Sequence, residues 1–103
     1  MIDIPVFCAY YLIVITYDEN KRQANLNKHY LDFVGCETVF EDFTLTREDG
    51  RDAYGELRLQ TLGIWNGVVV FVVHTPRGEN DHIISIRKAQ KHEQQIYWQH
   101  APH

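Results

Sequence analysis

The run Val68-Val69-Val70-Phe71-Val72-Val73 constrains the fold of this 103-residue chain more than any other feature. β-Branched side chains lose rotamer freedom in a helix and pack well on a pleated surface. A run with no polar face cannot lie at a solvated surface, so it reads as a central strand covered on both sides. The rest of the chain must supply two covers. The length corresponds to one domain, and a chain of this size removes roughly two-thirds of its unfolded surface from water, enough for a core without staples. With 45% hydrophobic and 23% charged residues, a disordered tail, a collagen-like chain and a disulfide-dense miniprotein are excluded.

The flanking segments carry strand and turn signals. Glu56 to Leu62 alternates, with Leu57 and Leu59 on one side and Arg58 and Gln60 on the other. Gly63 to Gly67 reads as a turn, and Thr75 to Asp81, with its Pro, Gly, Asn and Asp, as a second. His82 to Lys88 alternates again, placing Ile84 and Ile86 on one face and Ile83, Ser85 and Arg87 on the other. Ala9 to Tyr17 is β-branched and aromatic, a first strand. Asp18 to Asn20 offers N-caps for a helix over Lys21 to Tyr30, in which Lys21, Asn25 and Lys28/His29 share a face. Asp32 is the expected N-cap of a second short helix carrying Phe33, Cys36, Val39 and Phe40. Thr44 to Arg47 is a short strand and Glu48 to Gly55 a charged loop. Ala89 to Gln99 is a closing helix with Ala89, Glu93 and Tyr97 in one row. The expected class is α+β: two N-terminal helices, an antiparallel meander and a C-terminal helix, in a single domain over 1–103. Residues 1–8, with Pro5, read as a loose arm, and 9–99 as the globular body.

Ten Lys and Arg against fourteen Asp and Glu give a net charge of −4, which argues against a protein that coats nucleic acid. The charge is uneven. Asp32 to Glu56 holds eight acids and two arginines, whereas Leu57 to His103 holds five basic residues and three acids. An anionic ligand therefore belongs on the C-terminal half, and the acidic middle is a solvated face or the dock of a basic partner. Cys8 and Cys36 form no paired motif and read as reduced core thiols of a cytoplasmic protein. The apolar stretch Val6 to Ile15 lacks a preceding positive charge and a cleavage site, and is too short to span a bilayer. The histidines show no ligand spacing, so neither metal nor other cofactor is expected. Phosphate-cradling glycine motifs are absent.

An ordered set of short motifs then carries a resemblance. Tyr17-Asp18-Glu19-Asn20-Lys21, Asn25-Leu26-Asn27-Lys28-His29 and Asp32-Phe33 resemble the opening of the BrnT toxin family. Val39-Phe40-Glu41-Asp42, Leu45-Thr46-Arg47-Glu48-Asp49 and Tyr54-Gly55-Glu56-x-Arg58 are similar to its middle. His74-Thr75-x-Arg77-Gly78, Ile83-Ile84-Ser85-x-Arg87-Lys88-Ala89, Glu93 and Tyr97 are similar to its end. The resemblance implies a RelE-like fold and a bacterial type II toxin: a ribonuclease that suppresses translation, neutralised by a BrnA-like ribbon-helix-helix antitoxin. RNA would be the substrate, DNA would be met only through the antitoxin, and no membrane is involved. The chain departs from the family pattern in four places. Tyr30 stands where glycine usually closes the first helix, Val34-Gly35 replaces Glu-Glu, His92 and Gln94 replace basic residues, and the N-terminus is extended.

Metal-independent RNA cleavage needs a base for the 2′-hydroxyl, a holder for the phosphorane charge and an acid for the leaving 5′-oxygen. Arg87 is the first candidate for the phosphate because its planar fork stays charged and binds two oxygens, with Ser85 its neighbour on the same face. The alternative is an Arg87–Glu93 ion pair tying the last helix to the sheet. His29 is the candidate acid or base, or a helix-ending residue favoured by the macrodipole. Lys21 is a phosphate holder or a solvated first-turn residue. Glu93 is a candidate base and Tyr97 its hydrogen-bonding partner, or a core residue. Arg58 and Asn25 complete the candidate substrate contacts. Two other functions stay open: a degenerate, non-catalytic relative that binds an antitoxin-like partner, and a purely structural subunit.

Overall fold

The computed structural model describes residues 13–50 and 55–102. In chain order they form β1 (Ile15–Tyr17), α1 (Glu19–His29), a 3₁₀ helix (Cys36–Glu41), β2 (Leu45–Glu48), β3 (Leu59–Trp65), β4 (Val68–Arg77), β5 (Asn80–Lys88) and α2 (Lys91–His100). The expected α+β class holds, and β2 to β5 form the antiparallel meander. The sheet, however, has five strands in the order β1-β5-β4-β3-β2, with β1 added parallel to β5 at one edge. The proposed arm over residues 1–8 and the start of the first strand lie outside the described residues.

The valine run lies in β4, third of the five strands and covered on both faces. On one face Val70, Val72, Ile83 and Ile86 pack with Phe33, Cys36 and Val39. On the other, Val69 packs with Ala89, Tyr97 and Ala101, joined by Phe43, Leu45, Leu62 and Ile64. The 3₁₀ helix, with Leu31 and Phe33 before it, forms the first cover and α2 the second, with α1 packed along β5.

Three expectations need correction. The second N-terminal helix is a 3₁₀ turn that begins after Gly35, not an α-helix capped by Asp32. Gly35 has φ 89°, which stops a helix from running through it, and Phe33, Cys36 and Val39 are buried at a spacing of three, the period of a 3₁₀ helix. The two turns are also shorter than expected. β3 continues through Gly63 to Trp65, and the turn is Asn66-Gly67 with both residues at positive φ, the geometry that matches hairpin twist. Gly63 belongs in the strand because a Cβ there would stand 2.6 Å from Val39 Cγ1, so only glycine lets the 3₁₀ helix approach. β4 likewise continues to Arg77, and Gly78-Glu79 make the second turn. Pro76 is tolerated because β3 starts opposite His74 and leaves that side of β4 unpaired.

The third correction concerns β5. Ile83 pairs with His74 and Ser85 with Val73, so Ile84 is an extra residue in a bulge. The bulge breaks the alternation and puts Ile83 and Ile86, not Ile84 and Ile86, in the same core. It also leaves Ser85 and Arg87 on the opposite face, over α2.

α1 is held at both ends. Asp18 accepts the Lys21 amide, and the Tyr30 amide closes the helix on the Leu26 carbonyl. Arg22 forms paired hydrogen bonds to Glu19 and to Asp32, tying the helix to the chain that follows it. Beyond Tyr17 the edge of β5 would be open, but Asn25 supplies the missing partner. Its Oδ1 accepts the Ile86 amide at 3.0 Å and its Nδ2 donates to the Ile86 carbonyl at 2.9 Å. One side chain thus replaces a strand.

Tyr30 adopts φ 61°, ψ 26° with 84% of its surface exposed, so its ring returns little for the left-handed backbone. That conformation costs a side-chain-bearing residue about 1–2 kcal/mol, offset in part by the extra unfolded-state freedom of glycine, about 0.4–1 kcal/mol. Tyr30→Gly is therefore expected to raise the melting temperature by a few degrees; an unchanged or lower value in thermal unfolding would contradict the strain.

Candidate functional site

The site is built on the α2 face of the sheet. Leu62, Phe71 and Arg87 lie in one row across β3, β4 and β5. The Arg87 guanidinium lies over the Phe71 ring, 4.1 Å from its centroid, a cation–π contact on a partly desolvated surface. From α2, Glu93 meets it with two hydrogen bonds, Nη1 to Oε1 at 2.9 Å and Nη2 to Oε2 at 3.0 Å. The Glu93 side chain is 11% exposed and the Arg87 side chain 30%. Oε1 of Glu93 also accepts the Gln90 amide at 2.7 Å, completing a capping box at the start of α2. The Arg87 guanidinium and the Gln90 amide hold the Glu93 carboxyl below its ordinary value of 4.5. It is an ionised positioning group.

Five N–H groups belong to a guanidinium. Glu93 takes one from each terminal nitrogen, and the Lys88 carbonyl takes a second from Nη1 at 3.2 Å. Among the described residues, Nε–H and the outer Nη2–H of Arg87 have no partner. They lie side by side and form a fork suited to two oxygens of one phosphate. Ser85 is two residues away on the same strand face, about 7 Å along it.

His29 approaches from the last turn of α1, half-buried. Burial, then the charges of Lys28 and Arg87, push its pKa below the ordinary 6.5. The lowered value favours the neutral imidazole, which can accept a proton. The structure thus joins Arg87 to Glu93 and sets Ser85 on the same strand face. His29 forms no hydrogen bond or ion pair with them and stands on α1.

The other candidates stand apart or are engaged elsewhere. Lys21 is exposed at the opposite end of α1, eight residues or about 12 Å from His29. Arg58 precedes β3, four residues or roughly 13 Å along from the Leu62 row. The Asn25 amide is spent on Ile86. Tyr97 is 1% exposed, and its hydroxyl donates to the Phe43 carbonyl at 2.8 Å. Cys36 is buried and its thiol is pushed up to about 12, which makes it inert.

Sequence reasoning passed over three groups. Phe71 is hidden in the valine run and becomes the seat of Arg87 only through strand register. The Gln90-x-x-Glu93 spacing is a capping-box pattern and was readable. A hydrogen-bonded chain runs from exposed Thr46 through buried Thr61 and His74 to half-buried Asp81: Thr46 Oγ1 to Thr61 Oγ1 at 2.8 Å, Thr61 Oγ1 to His74 Nε2 at 2.6 Å, and His74 Nδ1 to Asp81 Oδ1 at 2.7 Å. His74 and Asp81 meet only because β4 and β5 extend to the Gly78-Glu79 turn. Thr61 is fully buried, so this chain braces β2, β3 and the hairpin. Among the described residues no group of three or more His, Cys, Asp or Glu is placed to hold a metal ion, and no helix is long and apolar enough to cross a membrane.

An α+β domain whose helix-covered sheet face presents an arginine fork is a frame suited to gripping a phosphodiester. The profile of the BrnT family, described as the ribonuclease toxin of type II toxin-antitoxin systems, matches residues 17–93. The chain belongs to that family. No curated protein matches it.

The Glu93 carboxylate is favoured in the folded state, so it contributes stability above the ordinary glutamate value and loses it as pH falls through its lower folded value. Thermal unfolding of wild type and Glu93→Gln from about pH 7 to about pH 3 should show a stability gap that closes toward the acid end. A gap that stays constant or widens on acidification would contradict the ionised pair.

Proposed function

We propose that this BrnT-family chain is an active, metal-independent endoribonuclease that cleaves mRNA in the cytoplasm, inhibits translation and is neutralised by a BrnA-like ribbon-helix-helix antitoxin. DNA is met only through that antitoxin. The observation that carries the reading is the unpartnered fork of Arg87, held in place by Glu93 and Phe71.

In this mechanism the scissile phosphate sits on Nε–H and Nη2–H of Arg87. His29 takes the proton of the neighbouring ribose 2′-hydroxyl, whose oxygen attacks phosphorus. The 5′-oxygen leaves with a proton from water, His29 returns the proton it took to solvent, and the products are a 2′,3′-cyclic phosphate and a free 5′-hydroxyl. Arg87 stabilises the charge that develops on the phosphorane oxygens. Glu93, ionised and fully engaged, orients Arg87 rather than moving protons. Ser85 lies close enough on the same face to touch the phosphate or ribose. Lys21 reaches an adjoining phosphate of the strand, and Arg58 one farther along. Asn25 and Tyr97 support the site from beneath.

A second reading is favoured by one observation: Arg87 also serves as a bolt between α2 and the sheet, as a non-catalytic binding module would retain it. The two separate experimentally. Arg87→Ala is expected to lower cleavage by about 10²–10³-fold, the usual loss for one preorganised donor, and to destabilise the fold by about 1–3 kcal/mol by leaving Glu93 unpaired. Arg87→Lys should restore only part of the activity because a point charge cannot replace the fork. His29→Ala should cost about 10²–10⁴-fold without comparable destabilisation. The checks are growth arrest and RNA cleavage, with and without EDTA, beside thermal unfolding of each variant. A folded Arg87→Ala chain that still arrests growth like wild type removes the catalytic role, and wild type that neither arrests growth nor cuts RNA supports the binding module.

A further inference from the structure

Next to Arg87 the same face opens into a pocket of about 270 Å³ between α2 and strands β2 to β4. Its size lies just below the range of roughly 300–1,000 Å³ that takes drug-sized ligands, so it accommodates one ring system. Leu45, Leu62, Phe71 and Ile96 make its walls apolar, as the flat face of a base requires. Its polar rim is asymmetric. Arg47 Nε donates to Gln60 Oε1 at 2.8 Å, which takes up one of the two lone pairs of that oxygen. The Gln60 NH₂ and the terminal N–H groups of Arg47 have no partner among the described residues, so this edge is rich in donors, while His92 and the Glu93 carboxylate line the α2 side.

We propose that this pocket is a nucleobase subsite that reads guanine through Arg47 and Gln60. The proposal rests on the ribonuclease reading above, since it places the base beside the phosphate on Arg87. Guanine presents two adjacent acceptors, O6 and N7, which is the edge an arginine fork pairs with. Adenine puts the N6 donor beside N7 and meets donor with donor. Cytosine also has adjacent acceptors, but its single ring buries less of the apolar wall. Arg47 lines the pocket, and Arg87 lies just behind its Phe71 and Glu93 walls, which suits a base attached to a phosphodiester held on Arg87.

Two measurements on the whole chain test this. In the first, cleavage sites are mapped on a random-sequence RNA for wild type, Arg47→Ala and Gln60→Ala. Wild type should favour guanine next to the cut by on the order of 10-fold, and Arg47→Ala should bring that ratio close to one whatever the total rate, which a purely structural role would not do. No base preference, a preference for another base, or a guanine preference that survives Arg47→Ala overturns the proposal. In the second, which needs no cleavage, the Gln60 side-chain NH₂ signal is followed by NMR during titration with GMP, AMP, CMP and UMP. GMP should shift it at the lowest concentration. A signal that responds to no nucleotide, or only to an added antitoxin, overturns the base subsite, and in the latter case assigns the pocket to the protein partner. Guanine binding without cleavage would uphold the subsite while removing the nuclease.

Discussion

The paired hydrogen bonds between Arg87 and Glu93 join the two halves of this molecule's logic. Glu93 starts α2 by capping Gln90 and, with the same carboxylate, holds the guanidinium against Phe71. Helix initiation, helix docking and aim of the arginine therefore rest on one carboxylate. Removing either partner leaves a charge on a surface where the other has lost most of its water, which is why partner loss costs more than the pair contributes. The pair leaves the side-on edge of Arg87 open. A structural bolt and a phosphate grip are compatible because they use different N–H groups of one side chain.

The same economy holds along the β5 edge. β1 covers only Asp81 to Ile83, and past that point Asn25 takes over the Ile86 amide and carbonyl. An unpaired strand edge invites association with another chain, and here a helix closes it. Fixing Asn25 against Ile86 also fixes the position of α1, which carries His29 one turn further on. The β5 bulge at Ile84 completes the arrangement by letting Ile83 and Ile86 share the core while Ser85 and Arg87 face away.

Much of this was legible in the sequence because it is local. The valine run could only be a covered central strand, Asp18 could cap α1, and Ala89, Glu93 and Tyr97 fell on one helical row. The Arg87–Glu93 tie was visible as an alternative because six residues separate a strand end from a first helical turn. What was not legible depends on register or on close approach. Gly63 looks like a turn residue until Val39 is found against it, and Thr75 to Asp81 looks like a loop until Thr75 is found buried and bonded to the Leu57 carbonyl. The parallel placement of β1 and the seat of Arg87 on Phe71 arise from pairings between segments far apart in the chain, about which a local pattern is silent. Tyr30 was legible as a break from the family's glycine, and the structure resolves it as a strained left-handed cap rather than a different ending.

The most direct measurement of the central claim observes the Arg87 fork itself. With the guanidinium nitrogens labelled, NMR can follow the Arg87 Nε–H during titration with a short RNA whose attacking hydroxyl is replaced by 2′-deoxy, so that it binds without being cut. If the open edge of Arg87 grips the phosphate, this signal moves and exchanges more slowly with water, while a signal from Arg22, already paired with Glu19 and Asp32, stays in place. An Arg87 Nε–H that is unchanged at saturating RNA, with the Glu93 pair intact, would mean that Arg87 only fastens the helix and that the phosphate is held elsewhere.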